Sequence, residues 1–189
     1  MRPLALLAAL VLALSHPAGA AELGEDGLHK EPWFRVTFKD LREDLRDANA
    51  EGKRLVLMIE QRGCIYCTKM HEEVYADPRI RELIEKHFFV LQINMFGDEE
   101  ITDFDGTALP EKEMVRRWGV LFTPTVIFLP EEVPGDRTAM QAAVGVMPGA
   151  FGKATTYNMF NWVREKGYLT DEPFQKYHAR MLESWRGGD

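Results

Sequence analysis

The sequence predicts an α/β domain, a mixed β-sheet with helices on its faces, and three observations carry that prediction. Two continuously apolar runs of strand length, residues 55–59 and 88–95, are separated by helix-patterned segments, as expected for central strands buried on both faces. Later apolar runs follow one another without a helix between them, which adds adjacent strands to the sheet and makes it mixed. Cys64-Ile65-Tyr66-Cys67 lies where the first run gives way to a helix, the sequence form of a dithiol or disulfide redox site.

The N-terminus is set aside first. Arg2 precedes an apolar run over residues 4–14, which Ser15-His16-Pro17 breaks before Ala18-Gly19-Ala20, a small-x-small cleavage pattern. Residues 1–20 therefore read as a secretory signal peptide. Eleven apolar residues are too few to span a bilayer comfortably, and no cysteine follows them to carry a lipid anchor. Cleavage leaves 169 residues, enough for one domain with a real core, and moves the charge from −7 to −8, since the leader carries one Arg and no acid. An acidic chain without a basic stripe argues against nucleic acid as a partner.

Residues 21–38 form an N-terminal extension. Its polar first half is expected to stay loose, and Trp33-Phe34-Arg35-Val36 to dock as a short strand. The domain proper covers residues 39–189. Asp40 caps a helix over residues 41–50, with Leu41, Leu45 and Ala48 at helical spacing, and Gly52 ends it. A strand over residues 53–60 leads to the cysteines. After them a helical pattern runs to Ala76, and Pro78 opens a second helix containing Ile80, Leu83 and Ile84.

A strand over residues 88–95 follows. Residues 97–110 are acidic and carry the turn signal Asp105-Gly106, so they read as an inserted loop or small hairpin. A short helix over residues 111–118 precedes Thr123-Pro124-Thr125, where a proline ahead of a β-branched and aromatic run marks a strand start. Residues 139–147 are expected to be a further strand. A helix carrying Tyr157, Phe160, Trp162 and Val163 comes next, and then a last amphipathic helix carrying Phe174, Tyr177, Met181, Leu182 and Trp185. Tyr157, Phe160 and Trp162, at helical spacing, read as core.

Only two cysteines are present, too close together to staple distant elements, and a loop holding two residues gives little entropic stabilisation. The pair is there for its reactivity. The first thiol meets the positive end of a helix, which favours thiolate, and Arg62 adds positive potential nearby. Covalent haem is excluded because Thr68, not His, follows Cys67. Cys64, Cys67 and His71 could supply three metal ligands without an apparent fourth, so His71 reads as a surface or partly buried helix residue. No metal and no cofactor is expected. The acidic insert lacks calcium-loop spacing and reads as solvated.

Taken together, Cys64-Ile65-Tyr66-Cys67 at a strand-to-helix junction and Thr123-Pro124-Thr125 before a later strand resemble the thioredoxin superfamily, over roughly residues 40–163. The resemblance implies a thioredoxin-like fold, here with an acidic insert and a C-terminal helix. More narrowly, the chain resembles the exported thioredoxins of bacterial sulfur-oxidation operons, the SoxW type. That likeness rests on Gly63 to His71, the insert around Ile101-Thr102-Asp103-Phe104-Asp105-Gly106, and Trp118-Gly119-Val120. Three departures from standard thioredoxins stand out: Gly63 replaces Trp, Ile65-Tyr66 replaces Gly-Pro, and Met58 replaces the buried acid. Glu60, two positions on and on the same strand face, is the nearest acid and the candidate for proton transfer.

The resemblance implies that Cys64 attacks a substrate disulfide and Cys67 resolves the mixed disulfide. It also implies that Thr123 and a cis Pro124 face the thiols as a substrate-pairing wall. Tyr66 either covers the thiols or shapes the substrate surface. No histidine lies between the cysteines, so a reductant or modest exchanger is expected, not a strong oxidant. The implied function is a periplasmic thiol-disulfide oxidoreductase acting on disulfide-bearing exported proteins, including those of sulfur oxidation, and re-reduced by a membrane thiol donor of the DsbD/CcdA type. The alternatives are a reductant for cytochrome c maturation or disulfide isomerisation and, in a different class, a redox-inert or metal-binding module on the same fold.

Overall fold

The computed structural model describes residues 22–186, and the leader expected over residues 1–20 lies outside them. The chain begins with a small antiparallel hairpin, β1 (Glu22–Leu23) on β2 (His29–Lys30). The first half of the extension is therefore docked, where a loose tail was expected. Gly27 takes φ +74°, and a Cβ there would lie 2.6 Å from Arg62 Nε, so glycine lets the turn close on that side chain. Arg62 donates to the carbonyls of Asp26 and Glu25, each at 3.1 Å, and latches the hairpin. Beyond the turn the side chains alternate, with His29, Glu31 and Trp33 buried and Lys30 and Pro32 exposed. The expected docking of residues 33–36 takes the form of a single parallel bridge, Phe34 to Val90.

Helix α1 (Leu41–Ala50) is capped by Asp40, whose carboxylate accepts from Arg42 N and Glu43 N. Strand β3 (Arg54–Glu60) follows and is buried from Leu55 to Glu60. Helix α2 (Ile65–Lys69) runs on through a π-helical turn, Met70–Tyr75, and then α3 (Pro78–His87) starts on its proline with Asp77 as cap. Strand β4 (Phe88–Asn94) leads to the insert, which is a hairpin of β5 (Glu100–Thr102) and β6 (Ala108–Pro110).

The insert is not simply solvated. Asp103 is fully buried and accepts from Trp118 Nε1 at 2.8 Å, Ala139 N at 2.9 Å and Arg117 at 2.9 Å, so it ties the hairpin to the domain. Helix α4 (Glu111–Arg117) and strand β7 (Thr125–Phe128) follow. The strand expected over residues 139–147 is corrected: its first part is one helical turn, α5 (Ala139–Ala142), and only β8 (Gly145–Pro148) is strand. The cause is local, because Thr138 and Gln141 form a capping box. The chain closes with α6 (Lys153–Arg164), a 3-10 turn (Gly167–Leu169) and α7 (Phe174–Arg186).

The sheet order is β4-β3-β7-β8, with β3 parallel to β4 and antiparallel to β7, and β7 antiparallel to β8. Alternation along β3 divides the core. Leu55, Leu57 and Ile59 pack with α1, α4 and the insert, while Val56 and Met58 pack with the π turn, α3 and α6. Each such fully buried side chain contributes about 1.5–3 kcal/mol. Glu60 belongs to the second face. The fold therefore delivers a buried carboxylate beneath the helix that carries the cysteines.

Candidate active site

Cys64 and Cys67 are joined as a disulfide. Cys64 is the N-cap of α2, and its Sγ accepts from Cys67 N at 3.0 Å. Gly63 enters this turn at φ +69°, a backbone conformation in which a side chain is strained, which accounts for glycine ahead of the first cysteine. Cys64 is 8% exposed and Cys67 1%, so the first cysteine is the more accessible of the two.

The loop before β7 stands opposite. Thr123 Oγ1 lies 3.5 Å from Cys64 Sγ, and the Thr123–Pro124 peptide bond is cis. The loop is held on both sides, by Thr125 Oγ1 donating to Phe122 O at 2.7 Å and by Gly149 N donating to Pro124 O at 2.7 Å. Around this junction Ile65, Tyr66, Leu121 and Phe122 are all exposed large side chains. Tyr66 is thus more than half exposed beside the disulfide.

Behind the disulfide the character reverses. His71 is fully buried, correcting the expectation of a surface or partly buried residue. Its Nε2 lies 2.8 Å from Glu60 Oε1 and its Nδ1 3.0 Å from Glu31 Oε1, both carboxylates being buried as well. Burial alone would push the imidazole down, but the hydrogen bonds to Glu31 and Glu60 and their charges outweigh it and hold His71 up to about 9. At neutral pH it is an imidazolium donating from both nitrogens. Glu60 accepts through its other oxygen from Gln92 Nε2 at 2.7 Å, and the same amide donates to His29 O at 2.7 Å.

His29 stacks on His71 with ring centroids 4.6 Å apart, and its Nε2 lies 2.9 Å from Thr68 Oγ1. That hydroxyl donates to Cys64 O at 3.3 Å, so it accepts from His29. Tyr75 packs edge-on to His71 at 5.3 Å, and burial followed by the charges of Glu60 and Glu31 raises its phenol. Among the described residues no group of three or more His, Cys, Asp or Glu side chains is arranged to hold a metal ion.

Of the expected site residues, Cys64, Cys67, Thr123 and Pro124 are brought together, and Tyr66 sits on the exposed rim. Glu60 lies behind them in the polar cluster. His29, Glu31, Thr68 and Gln92 were not anticipated. A signal for two of them existed: period-2 alternation anchored on Trp33 puts Glu31 and His29 on the inward face.

A family model described as a thioredoxin-like domain matches residues 41–149. The chain is 24% identical over 125 residues to the thiol:disulfide interchange protein DsbD of Colwellia psychrerythraea, a match covering 66% of this chain and 19% of that protein. It therefore spans about a fifth of the length of that relative. Among solved structures it is similar to a thioredoxin from Thermus thermophilus, with 26% identity, a TM-score of 0.52, and coverage of 68% of this chain and 86% of that one. It also shares its fold with a thioredoxin-fold protein from Helicobacter pylori, at 15% identity and a TM-score of 0.50, covering 70% and 81% of the two chains.

Proposed function

From its membership of the thioredoxin-like family as a thiol-disulfide oxidoreductase, we propose that this chain is an exported reductant of protein disulfides, with Cys64 as nucleophile and Cys67 as resolving thiol. The observation that carries the reading is the Cys64–Cys67 pair at the end of β3, with the sulfur of its more accessible cysteine 3.5 Å from Thr123 on the facing loop.

The exchange follows from that geometry. The Cys64 thiolate attacks one sulfur of a substrate disulfide, forming a mixed disulfide and releasing the first substrate thiolate. Cys67 then loses its proton and attacks Cys64 Sγ, which closes the internal disulfide and releases the second substrate thiolate. Two electrons pass from the dithiol to the substrate, and each released thiolate takes up a proton. The Cys67 N–H directed at Cys64 Sγ favours the thiolate needed for the first attack. Thr123, Pro124 and Tyr66 form the surface on which an extended substrate segment lies. Glu60, one of the two carboxylates behind the disulfide, handles protons at the buried thiol.

Export rests on the leader pattern at residues 1–20. The similarity to DsbD supports a membrane thiol donor of the DsbD/CcdA type as the source of electrons. The motif likeness to SoxW-type thioredoxins supports sulfur-oxidation proteins as substrates. Trapping tests the reading. A Cys67→Ser variant expressed in its own compartment accumulates mixed disulfides through Cys64 that reductant releases, and a Cys64→Ser,Cys67→Ser control does not. Equal recovery from the two variants contradicts the reading.

A further inference from the structure

A buried imidazolium between two buried carboxylates has one more negative charge than positive, in a place water does not reach. Such a surplus acts strongly on neighbouring ionisable groups because little solvent screens it. Cys67 stands four residues before His71 on one continuous helical segment, one turn away on the same face, and is equally buried. Two further ties reach the same turn: His29 stacks on His71, and through Thr68 Oγ1 it is hydrogen-bonded to Cys64 O.

We infer that the Glu31–His71–Glu60 cluster sets the protonation of Cys67, with His71 as a positioning residue, so that the N-terminal hairpin is part of the redox centre. The inference deepens the dithiol-exchange reading and rests on it. Glu31 and His29 both precede residue 41, where the match to the thioredoxin-like family begins. The hairpin segment thus lies outside the matched residues and supplies one of the two carboxylates. Arg62 latches the hairpin to the strand end before the cysteines, at the turn that Gly27 lets close.

The charge account gives opposite signs to the two kinds of group. A carboxylate near a buried thiol disfavours its thiolate, and a cation favours it. The remaining neighbours are accounted for as well. Gln92 fills the second oxygen of Glu60, Lys30 Nζ reaches Gln92 Oε1 at 3.0 Å, and Tyr75 lies edge-on to the imidazole. In the resolving step Cys67 must lose its proton before its sulfur attacks Cys64 Sγ and displaces the substrate thiolate, so the cluster governs when that step runs.

The test uses the reduced full-length protein mixed with 5,5′-dithiobis(2-nitrobenzoate). The coloured thiolate appears in two phases, the first from attack by Cys64 and the second from resolution by Cys67, each followed against pH. The Glu31→Gln variant, which keeps a hydrogen-bonding isostere, is expected to lower the midpoint of the second phase by about one pH unit. His71→Gln is expected to raise it by about as much. A purely structural role moves both variants the same way. Shifts in one direction, or none, overturn the inference.

Should either variant fail to fold, wild-type protein decides by reciprocity: the His71 ring, titrated by NMR, has different midpoints in the oxidised and reduced forms, and equal midpoints overturn the inference. If wild-type protein shows neither phase, the dithiol-exchange reading itself fails and takes the inference with it. Two normal phases that the variants leave unmoved sink the inference alone.

Discussion

The front and rear of the disulfide are built on opposite rules. In front, Ile65, Tyr66, Leu121 and Phe122 are each more than half exposed and form an apolar rim open to water. Behind, Glu31, Glu60 and His71 are charged groups sealed from water and joined at 2.8–3.0 Å. Between them the sheet keeps the ordinary arrangement, apolar residues on both of its inner faces. At the two sulfurs the two inversions stand back to back. An exposed apolar rim is a surface for another molecule to cover. A buried charge cluster is a fixed field acting on what lies next to it. The first concerns which substrate is met, and the second concerns how the thiols behave once it is there.

The largest expected break in this comparison comes from the rear. His71→Leu leaves two buried carboxylates without their cation and is expected to cost roughly 3–5 kcal/mol of stability at pH 7, read by urea unfolding. A cost under about 1 kcal/mol would mean that the cluster is not electrostatically coupled. The pH dependence sharpens the same point. His71 is held at about 9 in the folded chain against 6.5 without its partners, so its contribution is fully present below about pH 6.5 and is lost as pH rises through 9. That contribution is on the order of 3 kcal/mol. The stability gap between wild type and His71→Leu should therefore shrink from pH 6 to pH 10, and a constant gap would contradict the assignment.

The front is expected to behave differently. Leu121→Ala,Phe122→Ala is expected to lower kcat/KM for a protein disulfide about tenfold while leaving unfolding stability within about 0.5 kcal/mol. Reduction of a small aromatic disulfide should change much less, because it needs little of the rim. An equal loss on both substrates would place the effect on the sulfurs and not on docking.

The fold was largely legible because its signals are local and strong: continuous apolar runs for β3 and β4, Asp40 and Asp77 as caps, and Pro78 at a helix start. The sulfurs and Thr123-Pro124 were legible from spacing and context. Residues 139–142 were misread because a weak apolar pattern concealed the Thr138–Gln141 capping box. The rear cluster escaped for another reason. Its members come from positions 29, 31, 60, 71 and 92, and a charged residue in a sequence reads as solvated unless its partner is known. Only the packing of the hairpin against the helix brings Glu31 to His71. Glu60 was singled out as the nearest acid on the correct strand face, and the imidazolium interposed beside it was not foreseen.

The account as a whole turns on catalysis by the two sulfurs, and insulin reduction in the presence of excess dithiothreitol tests it most directly. Wild-type protein is expected to precipitate the insulin B chain well ahead of the uncatalysed reaction, and Cys64→Ser to match the uncatalysed time course. Indistinguishable traces for wild type and Cys64→Ser would contradict dithiol exchange at this site.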